Sequence, residues 1–207
     1  MTRPDLVVGR DGYARCGWAT DDDSYQRYHD EEWGIPLHGD RALFEKLSLE
    51  AFQSGLSWIT ILRRRPAFRE AFRSFEPGIV SAFTDEDVER LLADDRIVRN
   101  GAKIRATIAN ARVVDEFTRD DPGALDRLLW SFAPPPSARR SRLADLPAQT
   151  RESAAAAGAL KKLGIRFVGA TTMYALMQSV GMVDDHLSGC FRSEIRGALA
   201  GSDHQVE

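Results

Sequence analysis

The sequence DRALFEKLSLEAFQSG, residues 40–55, predicts a helix that carries an acid on its apolar side. Asp40 is of the residue type that caps a helix N-terminus, and Gly55 supplies a C-terminal stop. One side of this helix presents apolar or small residues at helical spacing, namely Leu43, Leu47, Ala51 and Ser54. Glu50 falls within the same stripe. A carboxylate at such a position is the most informative feature of the chain.

Glu50 needs either a partner or a function. Burying an unpaired carboxylate is costly, so proteins rarely bury one without compensation. A structural interpretation is a salt bridge to a nearby arginine. The following sequence favours a functional interpretation, because GLSW at residues 55–58 places the large aromatic side chain of Trp58 directly after the helix.

Helical periodicity extends to both sides of this segment, and clear two-residue alternation is absent. We therefore predict an all-α fold class, a compact and bilobal helical bundle in which residues 1–207 form a single domain. Pro66 is predicted to end one helix, which begins at Ser57, and to begin the next one. Phe68, Phe72 and Phe75 then recur at the spacing of core residues. Further helices are predicted at about 84–95, 102–117, 124–132, 150–163 and 169–180, with a proline-rich loop at 133–136 between the lobes.

Residues 84–117 have the spacing of a helix–hairpin–helix. Thr84 and Asp87 resemble a capping box, and residues 96–101 form a short connector to the second helix. Such a hairpin exposes backbone N–H groups at the start of the second helix, where an anion such as phosphate can bind. Two helices joined without any ligand have the same spacing, so both interpretations stay open. The stretch from Arg96 to Arg112 contains no acid and five cations, namely Arg96, Arg99, Lys103, Arg105 and Arg112. Lys103 and Arg112 are predicted to face outward.

The composition is that of an ordinary globular protein of 207 residues, with 43% hydrophobic and 29% charged residues. The net charge of -3 argues against indiscriminate binding to polyanions but allows a local basic face, and basic residues also cluster at 63–65 and 139–142. No apolar stretch approaches the about 18–20 residues that cross a bilayer, and the N-terminus lacks a secretory signal. We expect a cytoplasmic protein with no membrane partner.

The chain has two cysteines, Cys16 and Cys190, and a disulfide between them is not expected in a cytosolic protein. His29 follows the first, and His186 precedes the second by one helical turn. Two thiolates and two imidazoles make a closed tetrahedral set that suits structural zinc. An ion there would join the two ends of the chain and restrict the unfolded state. The alternative is a pair of inert buried thiols, because such a pattern also arises by chance.

A set of motifs runs in one order from about Arg15 to Phe191, nearly the whole chain. They are RCGW at 15–18, YxxYHDxEWG at 25–34, ExxQxGLSWI at 50–59, KI at 103–104, NAR at 110–112, FVG at 167–169 and DHxxxC at 185–190. In this combination the chain closely resembles the DNA-3-methyladenine glycosylase I family.

The resemblance implies a monofunctional base-excision repair enzyme of the helix–hairpin–helix DNA glycosylase type, acting as a monomer on double-stranded alkylated DNA. It implies one structural Zn²⁺ per chain, held by Cys16, His29, His186 and Cys190. It implies that Glu50 is the catalytic carboxylate contacting the damaged base and that Trp58 stacks on this base. Other residues expected to bind the base are Trp18, Tyr25, Tyr28, Trp33 and Gln53. Backbone phosphate contacts are expected from the hairpin residues Arg99, Asn100, Gly101 and Lys103.

The chemistry of the expected substrate explains these residue types. A base in duplex DNA must be flipped out before its glycosidic bond is accessible. A 3-alkylated adenine is cationic, so an electron-rich aromatic face attracts it more than a neutral base. A buried carboxylate such as Glu50 is matched by this cation and by N–H groups of the base, whereas an ordinary base matches it poorly. Because the alkylated base departs as a neutral molecule, its glycosidic bond is already weak.

Two other functions compete with this hypothesis. A zinc-containing, non-catalytic DNA-binding protein could keep the same scaffold, but it has no need of a buried carboxylate beside Trp58. A glycosylase of broader alkylpurine range could use the same pocket aromatics. No motif identifies an aspartate as general base, and Asp184 and Asp185 are expected to cap helices or to support the metal ligands. No lysine motif for a lyase step is present.

Overall fold

The computed structural model describes residues 4–19 and 22–193, and helices dominate it. The elements in chain order are β1 (Leu6–Val8), β2 (Ala14–Cys16), α1 (Asp23–Glu31), α2 (Asp40–Gln53), α3 (Trp58–Ala71), α4 (Pro77–Ser81), α5 (Asp85–Ala93), α6 (Gly101–Thr118), α7 (Ala124–Trp130), α8 (Arg151–Lys162) and α9 (Ala170–Ser179). Short 3-10 turns lie at Arg73–Phe75 and Leu143–Asp145. The predicted helical fold class is confirmed, with one small sheet added to it.

The helix α2 lies at the centre of the fold, where it packs against α3, α6, α7 and α9. Every side chain from Leu43 to Phe52 is buried, so this stretch has no solvent-facing side. The prediction of one apolar stripe is therefore wrong. Glu50 is buried because the whole helix is buried, and the polar residues Glu45, Lys46 and Ser48 are buried with it.

The two ends of α2 differ in how they match the prediction. Gly39, rather than Asp40, occupies the N-cap position. The Asp40 carboxylate instead accepts hydrogen bonds from the backbone N–H groups of Gly123 (2.6 Å) and Asp126 (3.0 Å) at the start of α7. Those groups have no partner within α7, so Asp40 joins the starts of two helices. At the other end, Gly55 has a φ of 84°, as expected for a glycine after a helix.

The helix α3 runs through Pro66 without a break, which contradicts the prediction of two helices. Buried residues on both sides of the proline, Leu62 before it and Phe68 after it, hold the helix against the core. Pro66 itself is exposed, so its ring adds no packing conflict in the core. Phe68, Phe72 and Phe75 are all fully buried, as predicted.

The helices α5 and α6 lie at the predicted positions and pack against each other across the connector 94–100. Thr84 and Asp87 form the predicted capping box at the start of α5. Asn100 caps α6, because its side-chain oxygen accepts a hydrogen bond of 3.1 Å from the Lys103 backbone N–H. Two capped helices joined by a short connector therefore lie at the predicted positions.

The strands β1 and β2 form an antiparallel pair in which Leu6 lies opposite Cys16. The sequence did not predict this sheet, because strands of three residues are too short to show alternation. The Asp5 carboxylate accepts a hydrogen bond of 2.7 Å from the Leu143 backbone N–H, which ties this N-terminal segment to a distant loop. Within residues 4–19 and 22–193, none of the helices has the length and apolarity that a membrane span requires.

Candidate active site and metal cluster

A cavity of about 270 Å³ opens where α1, α2, α3 and α9 meet. All seven residues predicted to form the base pocket line it: Trp18, Tyr25, Tyr28, Trp33, Glu50, Gln53 and Trp58. The sequence analysis missed four further lining residues, Leu146, Ala175, Gln178 and Ser179. The last two are polar residues in the otherwise apolar segment 173–180, and this contrast was a signal that could have found them.

Glu50 is buried in the cavity wall, with 4% of its surface exposed. Among the described residues no cation lies within ion-pair distance of it, so the interpretation of Glu50 as half of a salt bridge is wrong. Burial raises the pKa of Glu50 to about 7, and the charge of Lys46 and a hydrogen bond with Ser179 oppose this rise. A carboxyl group of this kind is a strong candidate for function rather than for structure.

Five aromatic side chains form a continuous wall around the carboxyl group. The Trp18 ring lies 5.3 Å from Tyr25 and 4.9 Å from Trp33, measured between ring centroids. Tyr28 lies 6.2 Å from Trp18 and 5.4 Å from Trp58, and so connects the two sides. The Trp58 Nε1 atom is buried without a hydrogen-bond partner. The cavity thus combines aromatic faces, one carboxyl group and an unsatisfied donor.

The polar side of the cavity is held in place by Asp185. Its carboxylate accepts hydrogen bonds from the Tyr174 hydroxyl (2.6 Å) and from the Gln178 side-chain amide (2.8 Å). Since a carboxylate only accepts, the Gln178 amide nitrogen must face Asp185, and its oxygen is left for another partner. Arg140 lies 3.5 Å from the same carboxylate. Asp185 therefore orients a residue of the cavity wall.

The four predicted metal ligands, from opposite ends of the chain, come together in one buried cluster: Cys16, His29, His186 and Cys190. Their ligand atoms all lie within 4.8 Å of one another. The Cys190 sulfur is 3.5 Å from His29 Nε2 and 3.6 Å from His186 Nδ1, and the Cys16 sulfur is 3.8 Å from His186 Nδ1. The cluster can hold a metal ion.

Both histidines of the cluster also have a partner outside it. His29 Nδ1 lies 2.8 Å from the Asp30 carboxylate, which in turn pairs with Arg15 at 2.7 Å. His186 donates through Nε2 to the Trp33 carbonyl at 3.2 Å. These contacts leave His29 Nε2 and His186 Nδ1 facing the ligand position, as in known metal sites. Hydrogen bonds from Cys16 and the two histidines lower the pKa of the Cys190 thiol, which favours the thiolate that a metal requires.

The cluster and the cavity share a wall. The Trp18 ring packs edge-on against His29 at 5.1 Å, and Trp33 packs edge-on against His186 at 4.7 Å. The aromatic residues that line the cavity are therefore positioned by the groups that can hold the metal.

The hairpin departs from prediction at Lys103. This side chain is buried, and its Nζ atom donates to the backbone carbonyls of Phe52 (2.9 Å) and Ser54 (2.7 Å) at the end of α2. The prediction that Lys103 faces outward is wrong, because the last carbonyls of α2 attract a cation more strongly than solvent does. Arg99 and Asn100 are exposed, and Gly101 is half-buried.

Most of the other basic residues have structural partners. Arg96 pairs with Glu70 at 2.9 Å, and the exposed Arg112 donates to the Ser81 carbonyl at 3.0 Å. The clusters 63–65 and 139–142 are neutralised in the same way: Arg63 by Asp22, Arg65 by Glu32, Arg139 by Asp184 and Arg142 by Asp145. Charge clustering in the sequence therefore overstated the basic surface.

Known proteins resemble this chain over most of its length. The family model described as methyladenine glycosylase matches residues 18–193. DNA-3-methyladenine glycosylase 1 of Escherichia coli strain K12 is 43% identical over 178 residues, which are 85% of this chain and 95% of that protein. A crystal structure of 3-methyladenine DNA glycosylase I superposes with a TM-score of 0.82 at 44% identity, covering 86% of this chain and 98% of that one. The enzyme from Staphylococcus aureus, from a study of 3-methyladenine recognition, superposes with a TM-score of 0.79 at 32% identity, covering 84% and 93%.

Proposed function

The chain belongs to the methyladenine glycosylase family, and we propose that it releases 3-methyladenine from alkylated DNA by hydrolysis of the N-glycosidic bond. It is a DNA glycosylase of base excision repair. In the proposed reaction a water oxygen becomes bonded to C1′ of the sugar as the bond from C1′ to the base breaks. The electron pair of that bond goes to the cationic base, and the water gives up one proton to the solvent. The base leaves as a neutral molecule, and an abasic sugar remains in the DNA.

Glu50 is the observation that carries this proposal. A buried carboxyl group with a pKa of about 7 and no cation within ion-pair distance gains most from a ligand that brings both a positive charge and N–H donors. The cationic 3-methyladenine base is such a ligand, and the faces of Tyr28 and Trp58 attract the same cation. Unmodified adenine brings no charge, so it leaves the carboxyl group buried without full compensation. Selectivity then follows from charge complementarity in a desolvated pocket.

The cavity also suits a single base and a reaction without a covalent intermediate. At about 270 Å³ it lies below the roughly 300 Å³ at which pockets for larger ligands begin. Of the described residues that line it, none is a lysine, so no amine is placed to form a Schiff base with the sugar. The volume thus suits a single base, and the lack of a lysine among these lining residues supports a monofunctional hydrolase.

We propose that the metal of the cluster is one structural zinc ion. Tetrahedral zinc with Zn–S bonds of about 2.3 Å and Zn–N bonds of about 2.0–2.1 Å separates sulfur from nitrogen by about 3.6 Å. The observed separations of 3.5, 3.6 and 3.8 Å fit this geometry. Four protein ligands leave no open position for substrate, so the ion would cross-link the chain rather than act on DNA. It would also fix Trp18 and Trp33 through their contacts with the two histidines.

We propose that the protein binds duplex DNA as a monomer through the hairpin and the rim of the cavity. The exposed side chains of Arg99 and Asn100 and the half-buried Gly101 lie at the N-terminus of α6, where a phosphate is favoured. Leu56 is a large apolar side chain that stays 43% exposed between the cavity residues Gln53 and Trp58. Its position suits it to fill the gap that a flipped base leaves in the stack.

The test is to incubate the protein with duplex DNA that carries methylated purines and to identify released bases by chromatography. We expect 3-methyladenine in the supernatant, and none from unmethylated DNA or from methylated DNA without the protein beyond its spontaneous loss. Binding to DNA without release would instead support the non-catalytic DNA-binding protein. Release of 3-methylguanine at a comparable rate would show a broader alkylpurine range.

A further inference from the structure

Lys46 is a buried cation without an assigned role. It lies on α2 one helical turn before Glu50, and only 7% of its surface is exposed. Its Nζ atom has no hydrogen-bond partner and lies 3.6 Å from the Glu32 carboxylate. A buried ammonium group in such a state is costly to keep, so a purely structural lysine would be expected to have better partners.

The Lys46 ammonium group lies against the aromatic wall of the cavity without entering it. Nζ is 5.0 Å from the ring centroid of Tyr28 and 5.9 Å from that of Trp58. Both rings line the base cavity, whereas Lys46 lines a different cavity together with Glu32 and Glu45. Lys46 therefore does not line the cavity that would hold the base, whereas its charge does act on Glu50.

Of the three carboxyl groups near Lys46, only Glu50 lacks an arginine partner among the described residues. Glu32 pairs with Arg65 at 2.7 Å, and Glu45 pairs with Arg69 at 2.7 Å. Glu50 has no arginine among the described residues, and the other groups that face it are the Ser179 hydroxyl and the phenol of Tyr28. Side chains four residues apart on a helix lie on the same face, so Lys46 is a near cation for Glu50.

We propose that Lys46 is a positioning residue that favours the ionised form of Glu50, so that a larger fraction of the empty pockets already presents a carboxylate to a cationic base. This inference rests on the proposed function. Burial raises the pKa of Glu50, and Lys46 is the first cause that opposes the rise. Burial likewise lowers the pKa of Lys46 and Arg65 adds to this, whereas Glu32, Glu50 and Glu45 oppose it. Lys46 and Glu50 thus keep each other charged in a site that disfavours either charge alone.

The same charge has a cost for binding. The Lys46 ammonium group already makes cation–π contacts with Tyr28 and Trp58, so these rings attract a second cation, the base, less strongly. Removing it should leave Glu50 protonated over a wider pH range, yet should favour the cationic base once Glu50 is ionised. The two effects act in opposite directions at low and at high pH, and this gives the proposal a distinctive signature.

The experiment is the pH dependence of kcat/KM for 3-methyladenine release, with the rate without enzyme subtracted. In Lys46→Met the acid limb, which reports ionisation of Glu50 in the free enzyme, should move to higher pH by about one to two units. Lys46→Arg keeps the charge and should restore the limb. Lys161→Met removes an exposed lysine from α8 and should leave the limb where it is.

An unmoved acid limb in an active Lys46→Met enzyme would overturn the proposal, and a loss of thermal stability with that limb unmoved would mean that Lys46 only supports packing. If Lys46→Met does not fold, Lys46→Gln removes the same charge and serves as the second variant. Failure of the wild-type protein to release any alkylated base would instead contradict the proposed function, so the two failures are distinguishable.

Discussion

The metal cluster and the base cavity share a wall, yet they differ in whether their buried polar atoms have hydrogen-bond partners. In the cluster, His29 contacts Asp30 at 2.8 Å, His186 contacts the Trp33 carbonyl at 3.2 Å, and the Cys16 sulfur accepts a hydrogen bond from the Leu187 backbone at 3.4 Å. Three of the four ligands, Cys16, His29 and His186, are therefore held by a contact outside the cluster.

The cavity wall, in contrast, retains unsatisfied groups. Trp58 Nε1 has no hydrogen-bond partner, and among the described residues Glu50 has no ion pair. Lys46 Nζ, which also lacks a hydrogen-bond partner, lies behind this wall, 5.0 Å from the Tyr28 ring centroid. Native structures contain few such atoms, so their position at this cavity needs an explanation. A structural site completes its own contacts, whereas a binding site leaves contacts to be completed by its ligand. Removing a group from the cluster should therefore lower stability, whereas removing a group from the cavity should lower activity.

The largest expected effect is loss of activity on changing Glu50 to glutamine. Removing the charge that matches the cationic base should lower kcat/KM by about 100–1,000-fold, the size of effect seen when one electrostatic group of an active site is lost. The wild-type acid limb should lie near pH 7, because activity falls as Glu50 becomes protonated. The limb should vanish in the variant. Steady-state kinetics from pH 5 to 9 test this, with the exposed Glu116→Gln as control.

The stability of the same variant sharpens the contrast. The pKa of Glu50 is raised by folding, so its contribution to stability is full below the unfolded value of 4.5 and is lost as pH rises through about 7. At pH 8 a neutral glutamine should therefore raise Tm by roughly 2–8 °C, equivalent to about 1–2 kcal/mol. A lower Tm would show that Glu50 stabilises the fold and is not held ionised for a ligand.

The second effect is loss of stability on breaking the cluster. Cys190→Ser or His186→Gln should lose most of the bound metal, and several kcal/mol of stability, about 3 kcal/mol or more, because metal binding contributes directly to folding. Metal analysis and thermal unfolding measure this, and His38→Gln, an exposed histidine outside the cluster, is the matched control. Turnover of the folded fraction should change much less than in Glu50→Gln. Full stability without metal would contradict a structural role.

The third effect concerns Lys103, a buried lysine whose contacts are complete. Lys103→Met removes two charge-assisted hydrogen bonds to the end of α2 and should cost about 2 kcal/mol, a fall in Tm of roughly 4–8 °C. The affinity of the folded protein for duplex DNA should stay within twofold. A large loss of affinity for DNA at unchanged Tm would instead support the prediction from the sequence that Lys103 contacts phosphate. The exposed Lys162→Met is the control for loss of charge.

The residues of the two sites were predictable from the sequence, but the directions of several side chains were not. Motifs that must converge on one ligand were predictable, and the structure brings all seven pocket residues and all four cluster residues together. The direction of a side chain was not predictable where tertiary packing decides it. Lys103 turns inward because α2 happens to end beside it, and α3 continues through Pro66 because the core holds both of its halves. The burial of Lys46 was not predictable either, because only the packed structure shows that α2 is buried on every side.

The smallest effect is expected from Arg99, the exposed cation of the hairpin. Arg99→Ala should weaken binding to every duplex by a similar factor of a few-fold, because a phosphate contact carries no sequence information. The slope of log affinity against log salt should fall by about one. Fluorescence anisotropy with duplexes of different sequence, at several salt concentrations, measures both quantities.

The control is Arg119→Ala at the far end of α6, which removes an exposed charge that pairs with Asp115. It should change neither the affinity for duplex DNA nor the salt dependence of that affinity. A loss of affinity confined to particular sequences in Arg99→Ala would mean that the hairpin reads bases. An unchanged salt slope would mean that the N-terminus of α6, and not Arg99, holds the phosphate.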